Sequence, residues 1–104
     1  MATEKVSAEI FSKEGTEVST FVWLYEAADG RFRLFRQDIG PRVEEASGGR
    51  DNDYEFWVDI APSDVPKLLF ALLREKYHGR IDAVDELTDF CKKESVPHQW
   101  GWWD

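Results

Sequence analysis

Four stretches of the chain have the residue patterns of β-strands, and three of them alternate apolar and polar residues with a period of two. They are residues 6–11, 18–25, 31–37 and 54–60. The second stretch is rich in β-branched and aromatic residues on both alternating sets, which predicts a strand near the middle of a sheet. Between the second and third stretches, Asp29-Gly30 predicts a hairpin, because both residues tolerate a positive φ.

The last of these stretches has the clearest alternation. Its apolar set predicts a face packed against the rest of the protein and consists of Tyr54, Phe56, Val58 and Ile60. The other set begins one residue earlier and consists of Asp53, Glu55, Trp57 and Asp59. The pattern therefore predicts a solvent-facing surface in which three carboxylates surround one tryptophan.

The pattern then changes to the 3.6-residue spacing of amphipathic helices. From Val65 to about His78, leucines recur on one helical stripe, Ser63 or Asp64 is a candidate N-cap, and Gly79 is a candidate terminating residue. A second helix is predicted over residues 82–94, ending before Pro97. It combines a narrow apolar stripe with an acidic face of Asp82, Asp85, Glu86 and Asp89.

These elements predict an α+β fold. We expect an antiparallel β-sheet of about four to five strands with two helices packed on one face, in the order β-β-β-β-α-α. The aromatic segment 98–104 is the candidate fifth, C-terminal strand. With 104 residues and 12.1 kDa, the chain is expected to form a single domain over residues 1–104.

The net charge of −8 bears on the class of partner. Acidity is concentrated in residues 42–64, with a net charge of −5, and in residues 82–94, with a net charge of −3. Such a chain repels nucleic acid and anionic membranes and attracts basic proteins. The lone cysteine, the lack of a long apolar run and the lack of a signal-peptide pattern together predict a cytoplasmic protein.

The residues that usually carry catalysis are few. Cys91 lies on an apolar helical stripe, which favours a buried structural thiol, and His78 precedes the helix-terminating glycine. The spacing of Asp51, Asp53 and Glu55 matches the start of a calcium loop, but the glycine and glutamate that such a loop needs later are missing. We therefore predict no enzyme activity, no cofactor and no metal site.

The acidic residues left over once packing is assigned are the candidate partner-binding residues. Trp57 joins them because tryptophan is enriched at interface hot spots. The full set is Glu44, Glu45, Asp51, Asp53, Glu55, Trp57, Asp59, Asp82, Asp85, Glu86 and Asp89. Two questions remain open. The carboxylates could instead form a solvated sheet edge that prevents aggregation. The C-terminal tryptophans could belong either to the core or to an interface.

Three short motifs carry one of two family resemblances. They are Gln37-Asp38-Ile39-Gly40-Pro41, Tyr54-Glu55-Phe56-Trp57 and Val65-Pro66. With its small size and acidity, the chain resembles the immunity proteins that neutralise bacterial polymorphic toxins, such as those of contact-dependent growth inhibition systems. It also resembles a diffuse group of short bacterial proteins that share these motifs.

The resemblance implies binding to a cognate toxin, often a nuclease with a basic cleft, by covering that cleft with the acidic surface. It implies no direct contact with nucleic acid or membrane. The alternatives are a small acidic regulatory or interaction module without a toxin partner, and a carboxylate-dependent enzyme with a deep pocket.

Overall fold

A computed structural model of the protein describes residues 4–40 and 53–103, except for the side chains of Glu4 and Lys5. In this part of the chain, four strands are followed by two helices, which confirms the predicted α+β order. The strands are β1 (Glu4–Lys13), β2 (Ser19–Ala27), β3 (Phe32–Ile39) and β4 (Asp53–Ile60), and the helices are α1 (Val65–Tyr77) and α2 (Ala83–Lys93).

The four strands form one antiparallel sheet in the order β1-β2-β3-β4. A tight turn joins β2 to β3: the Ala27 N–H donates to the Arg31 carbonyl at 2.8 Å, and Gly30 adopts a φ of 89°. The hairpin predicted at Asp29-Gly30 is therefore present. The positive φ of Gly30 explains why glycine occupies this position, since other residues reach that conformation only with strain.

Strand β1 is longer than its loose alternation predicts. Its pairing with β2 shifts register twice, between Glu4 and Val6 and between Glu9 and Phe11. Each shift inserts a residue that breaks the period of two, so the pattern marks only residues 6–11 of a ten-residue strand.

The candidate fifth strand is not formed in the described C-terminal segment. Residues 96–103 pair with no strand, so the sheet has four strands within the described ranges. Pro97 has no N–H to donate to a ladder and Gly101 is a poor strand former, which opposes strand pairing despite the three tryptophans.

The sheet has two faces, which we name after residues of β4. The Trp57 face carries the odd-numbered residues of β2, β3 and β4, and the Val58 face carries the even-numbered ones, because directly paired residues of antiparallel strands point to the same side. Glu9 of β1 pairs with Trp23 and so belongs to the Trp57 face.

Exposure along β4 does not follow the predicted division into a packed and a wet set. Tyr54, Phe56 and Val58 are 56%, 42% and 54% exposed, and Trp57 is 50% exposed. Because β4 is an edge strand with a neighbour on one side only, side chains on both of its faces keep solvent access. Period-two alternation therefore identified the strand but not which of its faces is buried.

The chain divides into two compact units, Met1–Leu68 and Leu69–Asp104, and the division falls within α1. A 3-10 turn at Pro62–Asp64 precedes α1, and Gly79 follows its end with a φ of 74°, as predicted. Asp82 occupies the N-cap position of α2, although its carboxylate makes no capping hydrogen bond.

Candidate interaction surface

A row of aromatic rings crosses the Trp57 face from β2 to β4. Trp23 stacks on Tyr25 with ring centroids 6.4 Å apart, Tyr25 meets Phe35 edge-on at 6.2 Å, and Phe35 stacks on Trp57 at 6.2 Å. Phe35 pairs directly with both Trp23 and Trp57 in the strand register. Since each such contact stabilises the sheet beyond simple burial, the row holds three strands in one register.

The row ends at Trp57, whose ring has two contacts within the sheet and is still partly accessible to solvent. The Arg33 guanidinium lies 4.6 Å from the Trp57 ring centroid, and Phe35 stacks against the same ring. Half of the Trp57 surface nevertheless remains exposed. An aromatic side chain fixed in one orientation loses little conformational entropy when it is covered, which suits it to binding.

Arg33 also binds Asp59, its direct partner on β4. The Arg33 Nε lies 2.6 Å from Asp59 Oδ1, and Nη2 lies 2.8 Å from Oδ2, a two-pronged ion pair. The hydrogen bonds from Arg33 lower the pKa of Asp59, and the same bonds raise the pKa of Arg33. The charge of Asp59 is therefore balanced by Arg33 within the sheet and is not available to a partner.

The other two predicted carboxylates of β4 converge on Gln37. The Gln37 amide nitrogen lies 3.1 Å from Asp53 Oδ1 and 3.2 Å from Glu55 Oε1. One neutral amide thus bridges two acids and neutralises neither. Of the described acids on β4, Glu55 is exposed and forms no ion pair with any described residue, which makes it the acid best placed to meet a cation from a partner.

Sequence reasoning did not identify Arg33, Phe35 and Gln37 as part of this surface. The two arginines within β3 differ in the reach of their ion pairs: Arg33 pairs with Asp59 of the neighbouring strand, whereas Arg36 pairs at 3.0 Å with Asp38 of its own strand. The missing information was the β3–β4 register, which puts these residues directly opposite Asp59, Trp57 and Glu55.

The Val58 face has a smaller cluster of the same kind. Arg36 lies 5.3 Å from the Phe56 ring centroid and binds Asp38, which also accepts a hydrogen bond from Thr20 Oγ1 at 2.9 Å. Burial acts to raise the pKa of Asp38, but the hydrogen bonds from Arg36 and Thr20 outweigh it and leave that pKa below its usual value. Both faces therefore fix an arginine between an aromatic ring and a carboxylate.

In the second unit, α2 brings together the four acids predicted for its face. Arg80 compensates two of them, with Nη2 lying 3.1 Å from Asp82 and 2.8 Å from Glu86. The other two, Asp85 and Asp89, have no ion-pair partner among the described residues. They line an open cleft of about 390 Å³ together with Thr88, Lys92, His98 and Trp100.

Three of the predicted partner-binding residues, Glu44, Glu45 and Asp51, lie outside the described residues. Within the described ranges, no three His, Cys, Asp or Glu side chains are grouped so that they could hold a metal ion. The chemistry of the described surface is therefore that of aromatic contact, ion pairing and hydrogen bonding.

Comparisons of the chain with protein-family models, with curated proteins and with solved structures found no match. No helix in the described part of the chain has both the length and the hydrophobicity needed to cross a bilayer.

Proposed function

We propose that this chain is an immunity protein that binds a basic toxin domain, most simply a nuclease, and neutralises it by covering the cleft that holds the substrate. The observation that carries the proposal is Trp57: it is half exposed, yet Phe35 and Arg33 fix its ring. Tryptophan is enriched among the hot-spot residues that lie near the centres of protein interfaces, where surrounding contacts exclude water.

Charge supports a basic partner. Glu55 lies two residues from Trp57 on the same face, is exposed and has a neutral amide as its neighbour. A cation of the partner would gain an ion pair there without first displacing one from the sheet. Long-range attraction from the net charge of −8 would speed the encounter, and that effect weakens as salt is added.

A carboxylate-dependent enzyme is a weaker candidate. A general acid needs a raised pKa, whereas the pKa values of Asp38 and Asp59 are lowered by their arginine partners, so both carboxylates stay ionised. A regulatory module with a non-toxin partner would use the same surface. It would differ from an immunity protein only in giving no protection against a toxin.

The test is rescue of growth. The protein encoded by the reading frame directly upstream of this chain's own is expressed with and without the chain; it is expected to be a toxin, and growth is expected to be protected only when the chain is present. Trp57→Ala should weaken binding by roughly 30-fold or more, as hot-spot truncations do, while Trp57→Phe should retain most of it. Trp103→Ala is the matched control, because Trp103 is 96% exposed and lies in the other unit.

If Trp57→Ala and Trp103→Ala bind the toxin domain equally well, the Trp57 face is not the docking surface. Binding without protection of growth would favour the regulatory module. Absence of both binding and protection would refute the immunity function. Tryptophan fluorescence of each variant checks that the sheet is still folded.

A further inference from the structure

The sheet ends in two edge strands that differ in regularity. β1 shifts register twice against β2, whereas the eight residues of β4 pair with β3 without a single shift. Bulges twist an edge and interrupt its row of free N–H and C=O groups, which is how proteins protect edges from further pairing. β4 has no such protection within its own length, and no other strand among the described residues pairs with its outer side.

The charges of β4 oppose pairing with a second copy of the same chain. When two antiparallel copies of β4 join, residues of one face meet residues of the same face. Each register is defined by the residue that lies opposite its own copy. If that residue is Glu55, its carboxylate faces the same carboxylate of the second copy. If it is Phe56, Asp53 faces Asp59, and if it is Trp57, Glu55 faces Asp59. Both registers that pair seven of the eight residues, centred on Phe56 and on Trp57, therefore place like charges directly opposite each other, which is destabilising, and so does the register centred on Glu55. Of the registers that pair five or more residues, only the one centred on Val58 avoids such a contact.

A different strand fits the same edge well. On the Trp57 face, Glu55 offers an uncompensated carboxylate, and Asp53 shares the Gln37 amide with it. On the Val58 face, Tyr54 and Val58 are 56% and 54% exposed. A strand with basic side chains at alternate positions and apolar ones between them would meet acids on one side and apolar surface on the other.

We propose that β4 is a strand-addition site that takes an extended segment of a basic protein, with arginine or lysine at alternate positions, as a fifth strand of the sheet. The inference rests on the proposed function only in taking the partner to be a basic protein. It adds how that partner is held: main-chain hydrogen bonds along β4 provide the affinity, and the charged side chains on the Trp57 face set the register.

The probe is a capped peptide that matches the eight residues of β4 in length and alternates arginine with valine. A peptide of the same composition with the arginines grouped at one end is its control. Binding of the alternating peptide should protect alternate β4 amides, those directed away from β3, from hydrogen exchange, and should leave β1 unchanged. Glu55→Lys should weaken this binding about tenfold, since a favourable cross-strand pair becomes a repulsive one.

Glu9→Lys is the matched variant, because Glu9 is an exposed acid on the same face but on the bulged edge strand, and it should leave the affinity unchanged. Equal binding of the two peptides, protection of β1, or no protection of β4 would overturn the proposal. So would protection of the outward β4 amides before any peptide is added, or protection that grows with protein concentration alone, which would indicate a second copy.

The two proposals can fail separately. Peptide protection of β4 without rescue of growth would leave the strand-addition site standing and refute the toxin partner. Rescue of growth, with neither the peptide nor the toxin domain protecting β4 amides from hydrogen exchange, would refute the strand-addition site and leave the immunity function standing.

Discussion

The two acidic regions of this protein, strand β4 and helix α2, look equivalent in sequence but differ in how their charges are satisfied. On α2, Arg80 lies two residues from Asp82 and six from Glu86 in the chain, so those ion pairs are local. On β4, Asp59 is paired with Arg33, 26 residues away, and only the sheet register brings them together. Net charge alone therefore overstates how much acidity is available to a partner, and it does so for different reasons in the two regions.

This difference predicts that β4 depends on long-range packing far more than α2 does. The largest effect is expected for Phe35→Ala, which removes ring contacts to both Tyr25 and Trp57. The free energy of unfolding should fall by about 2 kcal/mol, less than for a fully buried phenylalanine because Phe35 is half-buried. Denaturant titration followed by tryptophan fluorescence measures it.

Phe70→Ala is the control for that substitution, since Phe70 of α1 is 66% exposed. Its effect should be clearly smaller. Equal effects of the two substitutions would mean that the aromatic row does not hold the sheet together.

Two glycines with positive φ provide the next comparison. Gly40, at the end of β3, has a φ of 141°, and an added Cβ would collide with the Glu17 backbone carbonyl; Gly79, after α1, has a φ of 74° and open space around it. Gly40→Ala should cost up to about 2 kcal/mol, because strain and collision act together. Gly79→Ala should cost about 1 kcal/mol from strain alone.

Thermal unfolding of the two alanine variants measures this difference. A loss at Gly79 as large as that at Gly40 would contradict the view that long-range backbone contact constrains the sheet unit more tightly. The collision at Gly40 also gives a physical reason for glycine in the Gln37-Asp38-Ile39-Gly40-Pro41 motif.

Acid should unfold the sheet through its paired carboxylates. The pKa values of Asp38 and Asp59 are lower in the folded protein, so the unfolded chain binds more protons in acid, and stability falls as pH drops. The contribution is fully present above the ordinary aspartate pKa of about 4 and is lost as pH falls through the lowered values.

Asp59→Asn should therefore be less stable than the wild type at neutral pH and should lose less stability on acidification. Urea midpoints measured at a series of pH values between neutral and strongly acidic test this. If the variant and the wild type give parallel curves, the Arg33–Asp59 pair does not contribute to acid sensitivity.

The smallest effect is expected for Arg80→Met in the second unit. It removes both local ion pairs, but these lie at the surface and are weakened by solvent and salt. The unfolding midpoint should stay close to that of the wild type by circular dichroism. A loss comparable to that of Phe35→Ala would erase the contrast between the two acidic regions.

The sequence by itself determined the elements and their order. Period-two alternation identified three strands, and a run rich in β-branched and aromatic residues identified β2. The Asp29-Gly30 turn joined β2 to β3, and Gly79 and Asp82 marked a helix end and a helix start. All of these signals act over a few neighbouring residues, because alternation, turn conformation and helix capping depend on the local backbone. They do not depend on which residues of a neighbouring strand lie opposite.

Only the tertiary structure decided which acids remain available. No short turn sets the register of β3 against β4, since residues 40–52 separate them in the chain. That register places Arg33 opposite Asp59, Phe35 opposite Trp57 and Gln37 opposite Glu55. A shift by one residue would turn these side chains to the other face, so sequence alone could locate the acidic strand but not distinguish compensated Asp59 from uncompensated Glu55.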